Sequence, residues 1–160
     1  MGEHSAVHIS TECATPDATI EAGRRLGERL EPGDVVLLSG DLGVGKTTLA
    51  QGIVAGYGIA EPVTSPSFAL IHEYRLGPRL VVHFDPYRLE AAGALRDVGW
   101  EEYLGSGAVM LIEWPERLGD SIPVPHIWVT IAHADGSTRR ITLVSEPDTD
   151  IDRWSNLWTA

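Results

Sequence analysis

The chain has 160 residues and a formal net charge of −11, with a single cysteine and 12 basic residues of which only Lys46 is a lysine. That length suits one α/β domain with its own core, and the acidity argues against a broad direct nucleic-acid surface, which needs clustered Lys and Arg to neutralise phosphates. No apolar run reaches the length of a membrane span, no basic-then-apolar leader opens the chain, and Cys13 has no partner for an internal disulfide, so the expected location is the cytoplasm.

In chain order, His8–Thr11 reads as a short edge strand, and Cys13 as a small near-surface residue. Thr15, Pro16 and Asp17 form a helix start, with Thr15 as N-cap and Pro16 at the first helical position. The predicted helix runs to about Leu30, with Ile20, Leu26 and Leu30 facing inward. Glu31–Asp34 is a turn. Asp34–Ser39 is a continuous apolar run typical of a buried parallel strand.

Gly40-Asp41-Leu42-Gly43-Val44-Gly45-Lys46-Thr47 follows, a complete G-x-x-x-x-G-K-[ST] phosphate-binding loop. Thr48–Gly56 continues it as a helix, with Leu49, Ile53 and Val54 at helical spacing. A strand before and a helix after are the flanks the motif requires. Its glycines let successive backbone N–H groups turn toward an anion, and the helix start adds its positive dipole end. Lys46 is expected to reach the β- and γ-phosphates of a nucleoside triphosphate, and the Thr47 hydroxyl to bind Mg²⁺.

Beyond the loop, Pro62–Ser67 is rich in hydroxyls and held extended by its prolines. Thr64, Ser65 and Ser67 stand where a switch segment meets the γ-phosphate or metal; a turn using its hydroxyls as local caps is the other reading. Phe68–Arg75 and Leu80–Asp85, four residues apart, predict a hairpin. Pro86–Ala94 and Asp97–Leu104 read as helical, and Ala108–Glu113 as a second buried strand. Ile127–Ala132 and Arg139–Val144 flank Asp135-Gly136, a hairpin signal. Together these elements predict a three-layer α/β sandwich of the P-loop NTPase type, a mixed sheet with parallel core strands and antiparallel hairpins. It forms one domain over residues 1–145, followed by an acidic, polar tail over 146–160 that carries Trp154 and Trp158 and is either flexible or docked.

A magnesium–nucleotide site needs a further carboxylate at a strand end. Glu113 closes a wholly apolar run and is assigned to Mg²⁺, directly or through a water. Asp85 closes a run interrupted by His83 and is assigned to orienting the attacking water or the metal's water shell. Either acid can instead cap a following helix. His83 reads as a strand histidine, Trp114 as a core residue rather than a base-stacking platform, and Arg139-Arg140 as a solvated pair rather than a nucleotide contact.

Four segments in order, Gly40–Thr48, Val63-Thr64-Ser65-Pro66-Ser67-Phe68, His83-Phe84-Asp85-Pro86-Tyr87-Arg88-Leu89 and Leu111-Ile112-Glu113-Trp114-Pro115-Glu116, give the chain more than a generic phosphate loop. It resembles the TsaE (YjeE) family, the small ATPase of bacterial threonylcarbamoyladenosine tRNA modification. The resemblance implies slow ATP hydrolysis with Mg²⁺ and action with TsaB and TsaD. TsaD transfers the threonylcarbamoyl group to the adenosine at position 37 of tRNAs, and the ATPase resets the complex between turnovers. It also implies that Thr47 and Glu113 hold the metal, that Asp85 is the other functional acid, and that Thr15 lies near the nucleotide base. Ser67 stands where threonine is commoner, and Pro86 replaces a usual leucine.

Three rival functions share the phosphate loop or its chemistry. A small-molecule kinase shares the loop but adds an arginine-bearing lid, for which Arg75, Arg79, Arg88 and Arg96 are the available residues. A GTPase usually reads guanine with Asn-Lys-x-Asp, a motif the single lysine precludes. A non-catalytic module using nucleotide as a structural switch differs from a slow ATPase only in degree. Little affinity for bare tRNA is expected of the isolated chain.

Overall fold

The computed structural model describes residues 7–63, 71–85, 100–103, 105–123, 125–145 and 151–159. In order these form β1 (His8–Cys13), α1 (Pro16–Glu28), β2 (Val35–Ser39), α2 (Lys46–Gly56), β3 (Ile71–Leu76), β4 (Arg79–Phe84), β5 (Val109–Glu113), β6 (Ile127–His133), β7 (Arg139–Ser145) and a short α3 (Ile151–Trp154). Two 3₁₀ segments, Trp100–Tyr103 and Pro115–Ser121, flank β5 in sequence. The first is the described part of the predicted helix over Asp97–Leu104. The predicted helix over Pro86–Ala94, the switch hydroxyls Thr64, Ser65 and Ser67, and Arg88 and Arg96 lie outside the described residues.

All seven strands join one sheet in the order β1-β7-β6-β2-β5-β4-β3. β6, β2, β5 and β4 run parallel, and the β3–β4 and β6–β7 hairpins extend the sheet antiparallel. β1 adds to the β7 edge. The expected mixed α/β sandwich is therefore the observed fold. β2 sits centrally because its apolar side chains are buried on both faces, as a parallel core strand requires. Its alternation sends Val36 and Leu38 to one core cluster, beneath α1 and α2, and Val35 and Leu37 to a second with Phe84, Met110, Ile112 and Leu118.

α1 and α2 approach each other closely. A Cβ built on Gly27 would lie 2.1 Å from the Ile53 carbonyl oxygen, and one on Gly56 would lie 2.0 Å from that of Arg24. The buried stripe of α1 is thus Thr19, Ala22, Gly23, Leu26 and Gly27. Ile20 is only half-buried, a correction to its expected inward position: small residues take that face because the neighbouring helix backbone occupies the space. Cys13 is also corrected, being buried rather than near-surface. Its thiol donates to the Ala18 carbonyl at 3.5 Å, and burial pushes its pKa up, with a Thr19 hydrogen bond opposing.

The C-terminal residues dock. Trp154 and Leu157 are buried in the cluster beneath α1 and α2. Arg153 pairs with Asp34, and Trp158 Nε1 donates to the Ala22 carbonyl at 3.1 Å.

Candidate nucleotide site

The carboxyl ends of β2, β4 and β5 lie level, since Leu38 pairs with Glu113 and Phe84 with Ile112. That register brings Ser39, Asp85 and Glu113 to one edge, where ligands bind in open α/β sheets. The loop from Gly40 to Gly45 leaves β2 there and enters α2. Gly40 is required by close approach: a Cβ would fall 2.5 Å from the Ile131 carbonyl oxygen. Gly45 precedes α2 at φ +121°, a conformation that L side chains rarely adopt, and offers no side-chain cap. The first N–H groups of α2 are thereby left for an anion. Val44 is buried and anchors the loop, while Leu42 is 74% exposed at its tip.

Lys46 is 6% exposed. Its Nζ donates to the Gly40 carbonyl at 2.5 Å and to that of Asp41 at 3.4 Å, and lies 3.6 Å from the Trp114 ring centroid. Burial lowers its pKa, while the charges of Glu113, Asp85, Glu116 and Asp41 oppose the shift. Trp114 is half-buried and holds φ +53°, the only positive φ at a non-glycine among the described residues. It is not simple core; its ring meets the lysine.

Glu113 is 3% exposed and His83 0%. His83 Nε2 and Glu113 Oε2 are 2.6 Å apart, and His83 Nδ1 has no hydrogen-bond partner among the described residues. Lys46, Thr47, Asp85, Glu113 and Trp114 line one cavity of about 190 Å³ with Leu42, Gly43 and Gly45. A neighbouring cavity of about 240 Å³ is lined by Thr15, Thr19, Val44, Thr48, Ser137 and Arg139, among others, and shares Gly43 and Gly45 with the first.

The structure thus gathers Thr15, the loop residues, Asp85 and Glu113 around the start of α2. Arg139 and Arg140 do not form a solvated pair. Arg140 pairs with Glu12, whereas Arg139 Nε donates to the Val44 carbonyl at 2.8 Å. Arg75 pairs with Glu73, and Arg79 donates to the Tyr57 carbonyl at 2.5 Å, so both are engaged outside the phosphate cavity. Sequence reasoning missed the contacts of His83, Trp114 and Glu116, the last accepting from Ser39 Oγ. One signal was available: His83 stands near the end of its strand, two residues before the candidate acid Asp85.

Residues 13–141 match the family described as threonylcarbamoyl adenosine biosynthesis protein TsaE. The chain belongs to the TsaE family. It is 41% identical over 130 residues to the tRNA threonylcarbamoyladenosine biosynthesis protein TsaE of a Nostoc species, covering 79% of this chain and 80% of that one. Against the protein of the same name from Mycobacterium leprae it is 35% identical over 150 residues, covering 88% and 92%. The crystal structure of Bacillus subtilis YdiB superposes with a TM-score of 0.81 at 28% identity, covering 96% of both chains. The TsaE match spans Thr15, the whole phosphate loop, Asp85 and Glu113.

Proposed function

We propose that this chain binds ATP with Mg²⁺, hydrolyses it slowly, and serves tRNA threonylcarbamoyladenosine formation in the cytoplasm together with TsaB and TsaD. The observation that carries this reading is the joint lining of one cavity by Lys46, Thr47, Asp85 and Glu113 in a TsaE-family chain. The N–H groups of the loop from Gly40 to Thr48 cradle the phosphates. A phosphate oxygen replaces the Gly40 carbonyl as the partner of Lys46. Ser65 and Ser67 contact the γ-phosphate or metal, and Thr15 flanks the base.

The donor set suits Mg²⁺. Thr47 offers a hydroxyl and Glu113 a carboxylate, hard oxygens of the kind Mg²⁺ takes alongside substrate phosphates and water. When bound, the metal neutralises charge on the β- and γ-phosphate oxygens. Asp85 orients the water whose oxygen bonds to the γ-phosphorus as the bond to the bridging oxygen breaks, giving ADP and phosphate. Such chemistry rests on positioning and electrostatics, which the convergence of Lys46, Thr47, Asp85 and Glu113 on one cavity supports. The net charge of −11 favours reaching tRNA through protein partners rather than directly.

The test is phosphate release from ATP with and without the TsaB–TsaD pair. The pair is expected to stimulate turnover strongly, and Lys46→Ala to abolish ATP binding or turnover. Glu113→Ala is expected to weaken Mg²⁺ dependence more than Asp85→Ala does. Unstimulated turnover would remove the partnership, superimposable Mg²⁺ titrations for the two acid variants would remove the Glu113 assignment, and a phosphorylated small molecule in place of free phosphate would make the protein a kinase.

A further inference from the structure

We propose that His83 is a positioning residue that fixes the Glu113 carboxylate in its metal-binding orientation. This rests on the assignment of Glu113 to Mg²⁺ made above. His83 lies in β4 and Glu113 at the end of β5, strands paired in parallel with His83 opposite Leu111. Two-residue alternation puts Glu113 on the face of Leu111, and His83 on the face of Val81, both packed beneath α1 and α2. The side chains meet there at 2.6 Å, almost wholly out of water.

A carboxylate oxygen accepts, so the proton between the two side chains belongs to His83 Nε2. Nδ1 is buried and has no hydrogen-bond partner among the described residues. Such an atom has a cost that packing alone does not explain, because a leucine would fill a strand interior without it. What the imidazole gives in return is its contact with Glu113. Oε2 is held by His83, while Glu113 itself lines the cavity it shares with Thr47 and Lys46. Partners that orient metal-binding groups in this way commonly account for a 10–100-fold effect on metal affinity, so a change of about that size is the expected signal.

The experiment compares the full chain with His83→Gln and His83→Asn. The glutamine amide nitrogen reaches roughly where Nε2 stands; that of asparagine stops near Nδ1. Mn²⁺ binding to the protein–ADP complex, followed by electron paramagnetic resonance, reads the metal, and ADP affinity in chelator reads the phosphate site alone. The expected result is a fall of about 10–100-fold in Mn²⁺ affinity for the asparagine variant, substantial recovery in the glutamine variant, and unchanged ADP affinity in both. Should the asparagine variant not fold, His83→Leu takes its place with the same expectation. Wild-type Mn²⁺ affinity in the asparagine or leucine variant overturns the role, as does an equal loss in the glutamine variant. A wild-type chain that binds ADP but no Mn²⁺ overturns the metal reading and the positioning role with it.

Discussion

Arg139 Nε donates to the carbonyl of Val44 across 2.8 Å, tying the last hairpin of the sheet to the phosphate loop. The same guanidinium donates from Nη1 to the Ser137 carbonyl at 2.9 Å. With the Val44 side chain itself buried, the loop is held at both backbone and side chain. A hydrogen bond from a charged donor contributes about 1.5–3 kcal/mol. Arg139→Leu is therefore expected to weaken ATP binding by about 10–100-fold, since about 1.4 kcal/mol is a factor of ten. Arg139→Lys should recover only part, lacking the planar fork. Calorimetric titration with ATP checks both; equal affinities in all three proteins would show that the tie does not shape the loop.

Gly27 packs against the backbone of α2, and here two effects of a methyl group compete. In an exposed helix interior, replacing glycine by alanine stabilises by about 1 kcal/mol. At Gly27 the added Cβ would stand 2.1 Å from a carbonyl oxygen that has no rotamer to move into. Overpacking of this kind costs about 1–3 kcal/mol or more, so the clash wins. Gly27→Ala is expected to lower the urea midpoint, and Gly56→Ala, 2.0 Å from the Arg24 carbonyl oxygen, to do the same. A raised midpoint in either variant would mean that the helices separate without loss.

What was legible in the sequence was local. The phosphate loop declared itself because its fixed positions and both flanks lie within a short stretch. The β6–β7 hairpin did so because Asp135-Gly136 supplies the turn, Gly136 standing at φ +60°. What stayed hidden depends on register and close approach. The His83–Glu113 pair spans 30 residues and exists only once β4 and β5 pair. The inner face of α1 was misread at Ile20 because apolar periodicity points to large side chains, whereas the approach of α2 selects Gly23 and Gly27. The positive φ of Trp114, which goes with its ring lying under Lys46, leaves no mark in composition or spacing.

The acidic C-terminal stretch hid its role for the same reason. Trp154 is 1% exposed, and Arg153 beside it pairs with Asp34, at the entry to β2. Arg29 returns the contact, donating to the Arg153 carbonyl at 2.8 Å. Loss of a buried aromatic typically costs about 3–5 kcal/mol. Trp154→Ala is expected to fall in that range by urea denaturation, a large share of the stability of a domain this size. A loss well under about 1 kcal/mol, the level of a surface change, would show that the docked tail contributes little to the fold.

Lys46 is the residue where stability and the proposed function oppose each other. Burial pushes its pKa below the ordinary lysine range, and the surrounding acids restore only part of the difference. The charged form is therefore disfavoured in the folded chain, and between the folded and unfolded pKa values the unfolded chain binds more protons. Stability then rises with pH across that interval, and the full penalty is present below it. Lys46→Met keeps the stem and removes the charge. At pH 7 the variant is expected to melt above the wild type while losing ATP binding. The gap should close as pH climbs toward about 10, the ordinary lysine range. Melting curves at both pH values check the sign. A variant that melts below the wild type at pH 7 would mean that the Gly40 carbonyl, the Trp114 ring and the nearby carboxylates together outweigh the cost of burying the ammonium.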